Sequence, residues 1–148
     1  MDKPTPSSGQ LRPLSHLGLI AVAVLAISLG IYQWVELIQI RTGGATPLCS
    51  ISESINCATV WNSALADTIQ HYTGIPLAGW GIAWAIIILI LTIELDLHMR
   101  KGNPFGDIVL ALRIVTAIGA FISLALLIYS IIIGVICLTC FLFYLFVT

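Results

Sequence analysis

The chain has 148 residues, of which 59% are hydrophobic and 9% are charged, and its net charge at pH 7 is −1. The surface of a water-soluble domain of this size needs far more charge than this sequence supplies. Composition therefore excludes an ordinary soluble domain and predicts an integral membrane protein. We expect the lipid bilayer to be its environment and expect no nucleic acid among its partners.

Three uncharged or nearly uncharged apolar runs carry this prediction, at residues 14–35, 72–93 and 114–148. Each of the first two has 22 residues, about one helical crossing of a hydrocarbon core roughly 30 Å thick. The third has 35 residues, too many for one crossing and few for two, so a turn is expected near residues 130–134. The sequence predicts an all-α integral membrane bundle of four transmembrane helices.

The fourth helix of this bundle is expected to be short. If it begins near Ile133, only about 15 residues remain, and these span less than a bilayer. The last residues, FLFYLFVT, hold no charge and no tryptophan to mark an interface. We therefore expect the natural chain to continue beyond Thr148.

Basic residues predict the orientation. Lys3 and Arg12 precede the first span, and Arg100 and Lys101 lie between the second and third, whereas the opposite side carries only Arg41. Because basic loops stay in the cytoplasm, residues 1–13 are expected to form a cytoplasmic tail. Residues 14–148 would form the bundle, with an external loop at about 41–74.

The four cysteines all fall on the external side of this topology. Cys49 and Cys57 lie in the external loop, and Cys137 and Cys140 lie at the start of the last helix. In bacteria that side is oxidising, so disulfides persist there. A C-x-x-C pair at a helix start closes an easily reduced bridge, and the helix dipole favours a thiolate on Cys137.

The other pair is eight residues apart and can form a bridge on a mobile, solvent-exposed arm. A movable pair beside a fixed one suggests a relay of electrons between them. Two alternatives stay open at this point: two passive structural disulfides in an unrelated four-span protein, and a zinc site with four cysteine ligands, for which the spacing is poor.

The segment between Cys57 and the second span is predicted to form a short amphipathic helix. This helix would be either a lid over a binding site or a cover for the outer end of the bundle. Its apolar residues at helical spacing are Trp61, Leu65, Ile69 and Tyr72. Gly74 and Pro76 predict the turn into the second span. Trp80 and Trp84 share one face of that span and are interface residues, packing residues or part of a cavity wall.

The combination CSISESINC, CATVWNS, TGIPLAGWG and CLTCFLFY, in this order among four apolar segments, resembles the vitamin K epoxide reductase family, most closely its bacterial members. The resemblance covers nearly the whole chain. It implies that Cys49 is attacked by the thiolate of a partner, that Cys57 then attacks Cys137, and that Cys140 faces and reduces a quinone.

The resemblance also implies the residues of the quinone site. Ser63 corresponds to the active-site serine of the family, and Tyr144, one helical turn after Cys140, matches a tyrosine that borders the quinone pocket. We also assign Trp61, which belongs to the expected lid helix, to the quinone site. The asparagine that contacts the quinone in vertebrate relatives has no clear counterpart in TGIPLAGWG.

The function expected from this resemblance is that of a quinone-dependent thiol oxidase in the bacterial inner membrane. It would reoxidise a periplasmic thioredoxin-fold protein and reduce a ubiquinone, menaquinone or phylloquinone-type quinone. Several bacterial relatives carry a thioredoxin-like domain, and these 148 residues contain none. The partner is therefore expected to be either a separate protein or a domain of the natural chain beyond these residues. The alternatives are a vitamin K epoxide or quinone reductase and a structural tetraspan protein. A second class of four-span quinone oxidase carries its cysteine pairs in the reverse order.

Overall fold

The computed structural model describes residues 13–44 and 48–147, with the side chains of residues 17–44 and 48–142. The expected tail, residues 1–13, lies outside this range except for its last residue. The described helices are α1 (Pro13–Gly43), α2 (Cys57–Trp61), α3 (Ala64–Thr73), α4 (Leu77–Lys101), α5 (Gly106–Ile132) and α6 (Leu138–Val147).

Three of these helices, α1, α4 and α5, are long and apolar enough to cross a membrane. The helix that corresponds to the expected fourth transmembrane segment is α6, which has 10 residues and is shorter than a full span. The structure therefore has three long helices and one short one. Most large apolar side chains on the long helices are exposed, as expected where hydrocarbon rather than protein covers the outer surface. The chain is therefore a multi-pass membrane protein with an all-α fold.

Small residues let the long helices approach one another. A Cβ atom added at Gly119 of α5 would lie 2.6 Å from the indole ring of Trp84 on α4, closer than real Cβ contacts come. The same indole donates a hydrogen bond to the carbonyl of Val115, at 3.2 Å. Gly119 therefore allows the contact between α4 and α5, as small residues do in membrane bundles.

The short amphipathic helix expected between Cys57 and the second span is present as α3, but Trp61 lies outside it, at the end of α2. Asn62 ends α2, and Ser63 begins α3 by accepting a hydrogen bond from the N–H of Ala66. The polar pair Asn62–Ser63 prefers this end-and-cap geometry to a helix interior. Tyr72 belongs to α3 rather than to the second span, because Gly74 takes a left-handed conformation (φ 72°) and α4 starts only at Leu77.

The turn expected near residues 130–134 is present: α5 ends at Ile132, and Gly134 has a φ of 71°. The last helix, however, begins at Leu138 and not near Ile133. The intervening residues pair with the external loop, since the N–H of Asn56 donates to the carbonyl of Ile136 and the N–H of Ile136 donates to the carbonyl of Ser54. This isolated parallel bridge uses backbone groups that a helix would otherwise occupy.

Gly119→Ala is expected to lower the stability of the bundle. The added methyl group overlaps the Trp84 ring, and overpacking of this kind costs about 1–3 kcal/mol. Thermal unfolding of the purified protein in detergent measures the change. Gly18→Ala, on α1, is the matched control because its Cβ would meet nothing within 4 Å; equal unfolding temperatures for the two variants would show that the close approach does not matter.

Candidate functional site

The outer cysteine pair is a buried disulfide. Cys49 and Cys57 are joined, with their Cα atoms 5.7 Å apart, and their exposed fractions are only 5% and 0%. They pack with Leu37 of α1 and with Trp61 in one apolar cluster that also contains Cys137. The expectation of a pair in solvent is therefore wrong, because the backbone bridge to Ile136 draws the loop down onto the bundle.

The inner pair consists of two free cysteines at the start of α6. The carbonyl of Cys137 accepts a hydrogen bond from the N–H of Phe141 at 3.0 Å, and the Cys137 sulfur accepts one from the N–H of Cys140 at 3.3 Å. Cys137 thus occupies the position of an N-cap residue, and its sulfur takes the place that a serine or aspartate oxygen usually fills. Such a position favours negative charge on the sulfur.

Hydrogen bonds shift the ionisation of this thiol. The hydrogen bond with the Cys140 side chain lowers the pKa of Cys137 from 9.0 to about 7; burial opposes the shift, while the Thr139 hydroxyl and the backbone N–H groups support it. Cys137 precedes the membrane helix, where backbone donors are still free to act. Near neutral pH a substantial share of Cys137 is therefore the reactive thiolate.

One hydroxyl links the two pairs. The Oγ1 atom of Thr139 lies 3.3 Å from the sulfur of Cys137 and 3.6 Å from the sulfur of Cys57. Thr139 is itself buried. The hydroxyl has a single hydrogen, which the sulfur of Cys137 accepts, so its contact with the disulfide sulfur of Cys57 is one of proximity. The two sulfurs expected to exchange are neighbours across a single side chain.

A cavity of about 310 Å³ lies beneath the cysteine cluster. Three of the residues expected in the quinone site, Trp61, Ser63 and Cys140, line it together. The side chain of Tyr144, the fourth, lies outside the described residues. Trp80 and Trp84 also belong to the wall, as one of the alternatives for them expected, and Trp84 packs against Gly119 as well.

Short helix α3 covers one side of this cavity through Leu65, Ala66 and Gln70. Arg41, at the end of α1, donates hydrogen bonds to Asn62 Oδ1 at 3.3 Å and to Gln70 Oε1 at 2.7 Å. It also lies 3.8 Å from the carboxylate of Asp67, an exposed pair of small energetic value. The arginine thereby ties the α2–α3 segment to α1.

The cavity also contains residues that the motifs did not reveal, among them Gln33, Ser123 and Tyr129. Gln33 carried a usable signal, since it is an uncharged polar residue within a long apolar helix, and such residues usually face the interior of a bundle. Thr139 gave no comparable signal, because its role depends on where Cys57 lies, 82 residues earlier in the chain.

One comparison with known proteins identifies the family of the chain. No curated protein and no solved structure matches the chain. The sequence model of the vitamin K epoxide reductase family, however, matches residues 16–148, which include every helix after the first few residues of α1 and both cysteine pairs. The chain therefore belongs to the vitamin K epoxide reductase family, whose members are membrane oxidoreductases.

Proposed function

We propose that this protein is a quinone-dependent thiol oxidase of the bacterial inner membrane, with its cysteine face in the periplasm. The observation that carries the proposal is the chain of contacts from the outer disulfide to the cavity. Cys57 meets Thr139, Thr139 meets Cys137, and Cys140 of the same pair lines the cavity. Electrons that enter at the loop have a continuous route inward.

The first exchange takes electrons from a periplasmic thioredoxin-fold protein. A thiolate of this partner attacks Cys49, and Cys57 leaves as a thiolate; the second thiolate of the partner then releases Cys49, so the partner gains a disulfide and the outer pair gains two electrons and two protons. Cys49 is nearly buried, whereas its neighbours Leu48 and Ile51 are exposed. The loop must therefore open locally before the partner reaches the sulfur.

The second exchange moves the electrons inward. The Cys57 thiolate attacks Cys137 of the oxidised inner pair, and Cys140 leaves as a thiolate. Cys49 then attacks Cys57, which restores the outer disulfide and releases Cys137 as a thiolate. The structure has the redox state that follows this exchange, with the outer pair joined and the inner pair free. A low pKa makes Cys137 a good leaving group in the second attack.

The residues around the cavity fit a quinone. The wall is mostly apolar, its volume is within the usual range for small ligands, and two of its buried N–H groups, on Gln33 and Trp61, have no partner among the described residues. Trp80, Ile87 and Ile122 border it and are about half exposed, so it opens sideways between α4 and α5. A lipid-soluble quinone entering there supplies an acceptor for two electrons and two protons as Cys137 and Cys140 close their disulfide.

Removal of either inner cysteine is expected to abolish electron transfer. Cys137→Ala or Cys140→Ala should eliminate anaerobic reduction of a quinone by a reduced thioredoxin-fold protein, because the last disulfide cannot form. Quinone absorbance measures the rate. Full activity in either variant would contradict the relay.

Cys49→Ala is expected to trap the exchange at its midpoint. Without Cys49 the bond between Cys57 and Cys137 can be opened only by return attack of the Cys140 thiolate. Rapid alkylation of Cys140 blocks that return, so the adduct should accumulate and be identified by mass spectrometry of non-reduced peptides. The double variant Cys49→Ala with Cys137→Ala is the control and should give no adduct. Absence of the adduct from the oxidised Cys49→Ala protein, even after rapid alkylation of Cys140, would show that the two sulfurs do not react.

Thr139→Val is expected to slow the inward exchange roughly 10- to 100-fold, since a hydrogen bond to a charged sulfur contributes on the order of 1.5–3 kcal/mol. Alkylation and mass counting of the inner pair after addition of dithiothreitol measure the rate. Thr139→Ser should retain it. Thr116→Val is the matched control, because that hydroxyl bonds only to carbonyls of its own helix. Equal losses in Thr139→Val and Thr139→Ser would point to packing instead.

The pH dependence of the inner pair follows from its hydrogen bonds. Because the folded pKa of Cys137 is lowered to about 7, the thiolate should be lost as the pH falls through 7 and be present above it. With Cys49 and Cys57 replaced by serine, far-ultraviolet thiolate absorbance should show this transition. Cys140→Ala removes the largest cause and should move the midpoint up toward 9.0; an unchanged midpoint would contradict this origin.

A further inference from the structure

Gln33 is the one amide in a buried stripe of otherwise apolar or small residues on α1. The stripe consists of Ala23, Ala26, Gly30, Gln33 and Leu37. The exposed fraction of Gln33 is 7%, and its side chain lines the cavity beneath the cysteines. Its Nε2 group has no hydrogen-bond partner among the described residues.

A buried amide of this kind is costly. An unpaired N–H loses its hydrogen bonds to water and gains none, so native proteins rarely leave one unsatisfied without a reason. The other four positions of the stripe are alanine, glycine or leucine, none of which has a polar side-chain group. Packing alone therefore does not explain a glutamine at this position, whereas an acceptor inside the cavity does.

Three other polar groups around the cavity have partners. Gln70 accepts a hydrogen bond from Arg41, Ser63 accepts one from the N–H of Ala66, and the indole of Trp84 donates to Val115. The indole N–H of Trp61 is unpaired as well, but Trp61 packs against Cys140 and can donate to its sulfur. Of the two buried N–H groups without a partner among the described residues, that of Gln33 is the one that no sulfur of the relay engages.

We propose that the side-chain amide of Gln33 donates a hydrogen bond to a carbonyl oxygen of the quinone and thereby holds the quinone ring beside Cys140. This assignment rests on the proposed function. A quinone carbonyl is an acceptor without a donor, which complements an unpaired N–H. Negative charge grows on that oxygen as electrons arrive, so the hydrogen bond strengthens during the reaction and promotes it as well as binding. Gln33 supplies the polarising group that TGIPLAGWG lacks.

The test is Gln33→Met in the full chain, purified in detergent, with menadione as the probe. Methionine keeps the length of the side chain and removes the amide. We expect kcat/KM for menadione to fall about tenfold, as loss of one hydrogen bond predicts. The infrared carbonyl stretch of bound menadione should shift toward its value in apolar solvent. Gln39→Met, on the exposed side of the same helix, should leave both unchanged.

Thermal unfolding separates a ligand donor from a structural residue. Without menadione, Gln33→Met should unfold at the same or a higher temperature than the unmodified chain, because it removes an unsatisfied buried group. The rise in unfolding temperature on adding menadione should be smaller in the variant, since weaker binding stabilises less.

Two results have different meanings. If the unmodified chain reduces menadione and Gln33→Met matches it in kcat/KM and in carbonyl stretch, the assignment of Gln33 is wrong and the proposed function stands. The same holds if the variant is destabilised without menadione but binds it equally well. If the unmodified chain transfers no electrons to menadione while its cysteines still exchange, the proposed function fails, and the carbonyl stretch of bound menadione still tests Gln33.

Discussion

The site depends on one short contact, the pair of backbone hydrogen bonds that joins the external loop at Ser54 and Asn56 to Ile136. These bonds bring Cys57 into the apolar cluster that contains Cys137, since each cysteine directly follows a bridged residue along the chain. They also delay the start of α6, so that Cys137 caps the helix and its sulfur accepts a backbone N–H. The bridge is thus the backbone contact that holds the two cysteine pairs together.

Polar groups are used sparingly and locally in this bundle. Low dielectric surroundings make an unpaired polar group expensive and a paired one effective. Thr139 lies between two sulfurs, Arg41 ties the segment above the cavity to α1, and Gln33 directs an amide into the cavity wall. Each polar group in this region therefore relates either to the cysteines or to the cavity beneath them, where exchange and quinone reduction are proposed.

Several features were predictable because they are local. Long apolar runs gave the three membrane helices, Gly134 marked the turn after α5, and Gly74 with Pro76 marked the entry into α4. The resemblance of the motifs to the vitamin K epoxide reductase family agrees with the match over residues 16–148. The short helix expected after Cys57 is present as α3, but apolar spacing placed Trp61 in it, whereas Trp61 ends the separate helix α2 because Ser63 caps the start of α3.

Taken alone, the sequence determined that the chain crosses the membrane several times and that its cysteines fall in two pairs, since hydropathy and spacing act along the chain. Only the tertiary structure decided that the outer disulfide is buried, that Thr139 touches both pairs, and that Gln33 shares a cavity with Cys140. These are contacts between residues far apart in sequence. They arise from helix packing and from the bridge at Ile136, which no local pattern encodes.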